Sequence, residues 1–185
     1  MSNIFFTSDN HFFHKNIRKF CPETRKGETV EEMNELMIQK WNDTVSLHDE
    51  VYILGDFSFG DDAQTLTILD RLKGRLHLIK GNHDYWITPE TRKYFESIQD
   101  FRVLKMDKKE ISLFHYPIYE WKNMSHGAYH LFGHVHGTEP NRGRSMDVGI
   151  DARPQKDMGL WEWSEIKEIL EKKEVLSHHG KTSVL

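Results

Sequence analysis

An α/β chain that turns mainly to strand in its second half is the fold the 185-residue sequence predicts, and three observations carry it. Before about residue 100, apolar runs alternate with segments of helical period in the order β-α-β-α-β-α. One of those runs, Val51-Tyr52-Ile53-Leu54, is apolar on both faces, as a central strand covered on each side must be. Beyond residue 100 the spacing shortens to strand-like runs broken by turn residues. The length suits one domain, 1–185, able to bury about 70% of the surface its unfolded chain exposes.

The elements follow in order. Asn3 to Thr7 is the first strand, after which Asp9 and His11 sit two apart on one side of an extended segment. His14 to Phe20 mixes Lys15, Arg18 and Lys19 with Ile17 and Phe20 and suggests a short helix. Thr29-Val30-Glu31-Glu32 matches a capping box, and Met33, Leu36, Met37, Lys40 and Trp41 continue it at helical spacing. After the Val51 run, Asp61 or Asp62 caps a helix to about Lys73, with Leu66, Leu69 and Leu72 inward, and Gly74 ends it before the strand around Leu76 to Ile79. Thr88-Pro89-Glu90 opens a helix that buries Tyr94, Phe95 and Ile98. Phe101 to Met106 and Glu110 to Phe114 form a hairpin about Asp107-Lys108-Lys109, with further strands at Tyr129 to Phe132 and Ser145 to Val148. Ser164 caps a last helix through Ile166, Ile169 and Leu170, and a loose polar tail begins near Glu174.

Composition narrows the chemistry. The lone Cys21 excludes an internal disulfide and a thiolate metal cluster, which leaves twelve His residues and the carboxylates as ligands. A net charge of −4 without a dense Lys/Arg stripe argues against a groove for duplex nucleic acid. No basic leader follows Met1, and nowhere do about 18 apolar residues run together, so a soluble cytoplasmic protein with no membrane partner is expected.

Five apolar runs end in possible ligands: Asp9-Asn10-His11, Gly55-Asp56, Gly81-Asn82-His83-Asp84, His115, and Gly133-His134-Val135-His136. A loop at the carboxyl end of a strand is where an α/β protein places its chemistry. Nitrogen and oxygen donors without sulfur suit Mn, Fe, Zn or Ni, and their number suggests two divalent ions with Asp56 as the bridge.

This ordered set, spanning residues 9 to 136, resembles the motif set of the calcineurin-like metallophosphoesterases, and Asp9-Asn10-His11-Phe12-Phe13-His14 is similar to the small bacterial and phage-borne members. The resemblance implies a two-sheet β-sandwich flanked by helices and a dinuclear centre with Mn foremost. It assigns Asp9, His11, Asp56 and His136 to one ion, and Asp56, Asn82, His115 and His134 to the other. Asn82 and His83 would contact substrate, and His83 would protonate the leaving group. The implied reaction is in-line attack by a metal-bridging hydroxide on a phosphate ester of a small molecule or nucleotide, a diester in preference to a monoester. Gly55-Asp56-Phe57-Ser58-Phe59-Gly60 lacks the Asp-Arg-Gly stretch that supplies a phosphate-binding arginine in the protein phosphatases of the superfamily, which disfavours that activity.

Arg144, or Arg142, is the candidate replacement, and His14 and His126 are candidate substrate contacts. Tyr85, Trp86, Tyr119 and Trp121 are available to pack or to stack on a ring. His77 and His130 alternate with apolar residues and are read as structural, and His48, His178 and His179 as solvated. A non-catalytic protein-binding scaffold of the same fold is the competing class; it would have lost ligand histidines, whereas every ligand position is filled here.

Overall fold

The computed structural model describes residues 2–139 and 141–177, so His178 and His179 lie outside the described residues. In order the elements are β1 (Ile4–Thr7), α1 (Ile17–Phe20), α2 (Val30–Thr44), β2 (Glu50–Ile53), α3 (Asp62–Leu69), β3 (Arg75–Ile79), α4 (Pro89–Arg92) and β4 (Phe95–Gln99). They are followed by β5 (Phe101–Met106), β6 (Lys109–Phe114), β7 (Tyr129–Phe132), β8 (Ser145–Asp147), β9 (Trp161–Glu162) and α5 (Trp163–Glu171).

Two mixed sheets stack with helices outside them. The first has the order β4-β3-β2-β1-β9, parallel except for β9, and the second β5-β6-β7-β8, parallel except for the β5–β6 hairpin. The period of two sorts the first sheet's side chains. Phe5, Val51, Ile53, Leu76 and Leu78 pack with Met33, Met37 and Trp41 of α2 and with Ile68 and Leu69 of α3. Phe6, Tyr52, Leu54 and Ile79 pack instead with Ile111, Leu113, Leu131 and Met146 of the second sheet and with Ile166 and Leu170 of α5. Each such side chain contributes roughly 1.5–3 kcal/mol by leaving water. Because β1, β2 and β3 run parallel in one sheet and β6, β7 and β8 in the other, six carboxyl ends gather at one edge. There a bridge between Ser8 and Gly149 ties the two sheets together.

Several local expectations are corrected. Thr29 caps α2 by accepting from Glu32 N–H (3.1 Å), but the Glu32 carboxylate accepts from Glu28 N–H (2.7 Å) instead of completing a box. The helix capped by Asp61 stops at Leu69, short of Lys73. The helix opened by Thr88 ends at Arg92, and Phe95–Gln99 joins the free edge of β3 as β4. Apolar residues at 94, 95 and 98 have helical spacing, but the unpaired edge of β3 decides, and a register shift between Leu76 and His77 sets Phe95 and Ile98 opposite Leu76 and Leu78. Trp161–Glu162 is too short to show a period, yet it pairs antiparallel with β1, and this holds Glu162 extended as the cap of α5 in a box with Glu165, displacing Ser164. Past Glu174 the chain is not loose as far as it is described: Val175 is buried, and Leu176 packs on Trp121, Met124 and Ala128.

His77 and His130 are built into the packing. His77 stacks on Tyr52 at 4.5 Å and bonds Glu50 and Ser97. Fully buried His130 donates from Nδ1 to Ser112 O (3.0 Å) and accepts at Nε2 from Ile118 N–H (3.2 Å), and burial lowers its pKa from 6.5 to about 4. Its folded pKa lies below its unfolded one, so its contribution to stability is complete above about pH 6.5 and is lost as pH falls toward 4. That linkage amounts to roughly 3 kcal/mol. Urea unfolding at pH 7 and pH 4.5 is therefore expected to show a larger loss of stability in the wild type than in His130→Gln; equal losses would show that the ring does not titrate with folding.

Candidate metal centre

The loops that leave the strand ends are bent by unusual backbone. Asp9, His11, Asp56, His134 and His136 all have left-handed φ (54°, 51°, 52°, 70° and 49°), a conformation that costs non-glycine residues roughly 1–3 kcal/mol each and clusters at functional sites. Asp9 and His11 therefore do not lie on an extended segment as the spacing suggests; the curl of the chain after Thr7 turns both inward. Glycines make room: a Cβ on Gly55 would lie 2.6 Å from both Gly81 Cα and the His115 ring, and one on Gly133 would strike Ser8 and Asp9.

Two sets of ligand atoms converge, with the donors of each set within 4.8 Å of one another: Asp9, His11 and His136, and Asp56, His115 and His134. In the first, Asp9 Oδ2 accepts from His134 N–H (2.9 Å), which leaves Oδ1 3.8 Å from His11 Nε2 and 4.0 Å from His136 Nε2. In the second, Asp56 Oδ1 accepts from His83 N–H (2.9 Å) and Oδ2 lies 3.6 Å from His115 Nε2. His115 Nδ1 faces Leu54 O at 2.7 Å; a carbonyl only accepts, so Nδ1 carries a proton, and Nε2 aims at the region that Asn82 Oδ1, 3.0 Å away, also faces.

These residues fit metal ions. Asp9 Oδ1 and both ring nitrogens of His11 are buried without a hydrogen-bond partner, an arrangement costing about 1–3 kcal/mol per group unless something else satisfies it. Burial raises the Asp9 carboxyl to about 6, and burial with the nearby Arg25 charge drives the His11 pKa far below its ordinary value, so His11 is a neutral imidazole with a free lone pair. A divalent cation would satisfy Asp9 Oδ1 and the lone pair of His11 Nε2, which lies 3.8 Å from that oxygen.

Sequence reasoning missed the residues that orient this first set. His136 Nδ1 is held by Asp151 Oδ2 at 2.7 Å, which points Nε2 into the site as a carboxylate–histidine–metal arrangement requires. Asp151 is gripped in turn by Arg25 (Nε 3.0 Å, Nη2 2.7 Å) and by the Thr24 hydroxyl. Burial alone would raise the Asp151 carboxyl, but His136 and Arg25 hold it well below the usual carboxylate range. Buried Arg25 also donates to the carbonyls of Asp9 (2.5 Å) and Asn10 (2.7 Å). A buried guanidinium in a segment with no strand or helix signal left no periodicity to find.

The ligand sets open into a cleft of about 400 Å³ that His14, Phe59 and His83 also line. The other proposed substrate contacts lie elsewhere. Arg144 precedes β8 at its amino end and bonds Lys173 O (3.2 Å) and Glu171 O (3.5 Å) at the end of α5. Exposed His126 precedes β7 and shares a hollow with Lys105, Lys108 and Lys109 by the β5–β6 turn. Both sit at the ends of the strands opposite the ligands, which the linear order of residues could not reveal. Arg142 covers the Tyr119 ring at 3.5 Å, Trp86 and Trp121 are buried, and Tyr85 and Tyr119 are outside the cleft lining.

Metal analysis after reconstitution is expected to find two divalent ions per wild-type chain and one in His11→Ala, whose remaining complete set is that of Asp56, His115 and His134. A wild-type stoichiometry that stays at one would sink the dinuclear assignment.

The chain is 31% identical over 170 residues to the uncharacterized protein MJ1445 of Methanocaldococcus jannaschii, covering 86% of this chain and 88% of that one. It is 26% identical over 191 residues to the Gene 66 protein of Mycobacterium phage L5, with 82% and 88% covered. Among solved structures, the protein of unknown function AQ665 from Aquifex aeolicus matches with a TM-score of 0.70 and 24% identity over 91% of this chain and 100% of that one, which shows a shared fold. No protein-family model matches the chain. Its two mixed sheets carry, in order, the strand-end clusters of Asp9 and His11, Asp56, Asn82 and His83, His115, and His134 and His136, and the chain belongs to the same family as MJ1445.

Proposed function

We propose that the protein hydrolyses phosphate esters with two divalent ions, Mn foremost and Fe, Zn or Ni as alternatives, and that it prefers diesters. The observation that carries this reading is the pairing of two ligand sets at one cleft that His83 also lines. Asp9, His11, Asp56 and His136 would hold one ion, and Asp56, Asn82, His115 and His134 the other. When bound, such a pair supplies Lewis-acid charge for the phosphoryl oxygens and an activated water for in-line displacement.

The chain's own residues do the rest. The bond from His83 N–H to the Asp56 carboxylate (2.9 Å) fixes the loop that carries the His83 ring, and Phe59, 4.5 Å from that ring, limits its swing. A ring so placed is suited to deliver a proton to the departing oxygen. Among the described residues, no Lys or Arg lines the cleft. A monoester dianion would have only the ions for a clamp, opposed by the Asp9 and Asp56 carboxylates, and this supports a diester monoanion as the better substrate.

An aryl phosphodiester and the matching monoester, assayed side by side in Mn and then in Ni or Zn, test the preference, with diester hydrolysis expected to be at least as fast. A strong monoester preference in every metal would reverse it. His83→Ala is expected to cost about 10²- to 10⁴-fold on a poor alkoxide leaving group and much less on nitrophenolate, which departs without a proton. Equal losses on both would make His83 a positioning residue. Asp56→Asn is expected to be more damaging than His11→Ala, because a bridging carboxylate serves both ions.

A further inference from the structure

The geometry points to a nucleoside-binding wall beside the metal ligands: Phe59, His14 and Phe20 form a stepped aromatic face on which the base of a nucleotidyl phosphodiester stacks. This rests on the phosphoester reading of the site and deepens it to a substrate class.

Phe59 leaves the loop after β2 and lies 4.9 Å from the His11 ring and 4.5 Å from His83, so its edge borders the reacting region. His14 lies flat on it, with centroids 3.9 Å apart and planes 7° apart. The His14 ring in turn meets Phe20 edge-on at 6.3 Å. Phe20 closes α1, lines the same cleft and is 71% exposed, whereas Ile17, three residues earlier on the same helix, is buried. A large apolar ring left in water one step from a phosphate site has no packing role to explain it; a ligand ring would cover it.

Distance and polarity select the ligand. Phe59 adjoins the ligand histidines, whereas Phe20 stands one ring farther out, so a ring reaching Phe20 needs a spacer of about sugar length between it and the phosphorus. Past Phe20 and Cys21 the cleft continues into a second hollow of about 480 Å³ whose lining includes Glu23, Thr24, Thr138 and Lys156. Polar groups around a flat apolar face suit a heterocycle with hydrogen-bonding edges and would leave an alkyl chain poorly matched. The stacking residues expected from the sequence, Tyr85, Trp86, Tyr119 and Trp121, are not in this lining.

Two esters with the same nitrophenolate leaving group test the wall: the p-nitrophenyl ester of thymidine 5′-monophosphate, and ethyl p-nitrophenyl phosphate. The manganese-loaded wild type is expected to show kcat/KM about tenfold or more higher for the nucleoside ester; Phe20→Ala removes about tenfold of that ratio and Phe20→Trp retains it. Calorimetric titration with thymidine 5′-monophosphate and with ribose 5-phosphate gives a readout without turnover. The base-bearing ligand is expected to bind about tenfold more tightly to wild type and without that advantage to Phe20→Ala. Equal kcat/KM for the two esters in wild type, or an equal effect of Phe20→Ala on both, would overturn the wall and leave the phosphoesterase reading standing. Hydrolysis of neither ester, with base-dependent binding intact, would overturn hydrolysis and support the subsite.

Discussion

The Asp84 carboxylate holds together the two loops on which the second ligand set depends. It accepts N–H bonds from Asp56 (3.0 Å), Phe57 (2.9 Å), Gly81 (2.7 Å) and the Trp86 indole (3.0 Å), and so clamps the chain leaving β2 to the chain leaving β3. Burial raises its pKa against the pull of these donors. Hydrogen bonds to a charged acceptor contribute roughly 1.5–3 kcal/mol, comparable in size to the cost of a left-handed Asp56. Only with this clamp, and with no Cβ on Gly55 or Gly81, can Asp56 and His115 approach each other as they do.

A parallel arrangement serves the first set. Arg25 and Asp151 form a buried ion pair, which by itself returns little net stability because both groups leave water. Its value lies in orientation: the guanidinium takes the carbonyls of Asp9 and Asn10, and the carboxylate takes one nitrogen of His136. The ligand atoms themselves stay without protein partners at Asp9 and His11. The groups that orient the first set are therefore hydrogen-bonded while its own ligand atoms are not, the condition in which a cation has most to contribute.

Strand direction decides which polar residues belong to the site. Parallel β1, β2 and β3 and parallel β6, β7 and β8 send six carboxyl ends to one edge, and the residues just beyond them form the cleft. Residues that precede the same strands, such as His126 and Arg144, are carried to the opposite edge however close they stand in sequence to His134 or Asp147.

The five ligand clusters, most strands and the α2 helix were legible in the sequence, because a strand-end motif and an apolar period are local properties of consecutive residues. Tertiary structure alone assigned β4 and β9, whose few residues acquire strand form only from an open edge beside β3 and β1. It alone drew Arg25 and Asp151 together across 126 positions, exchanged Arg144 and His126 for Phe20 and Phe59 at the cleft, and set the left-handed turns that aim Asp9 and His11. The sequence by itself determined which groups could ligate and in what order along the chain. Where each one points was decided by packing, since the direction of a side chain depends on contacts far away along the chain that no local pattern encodes.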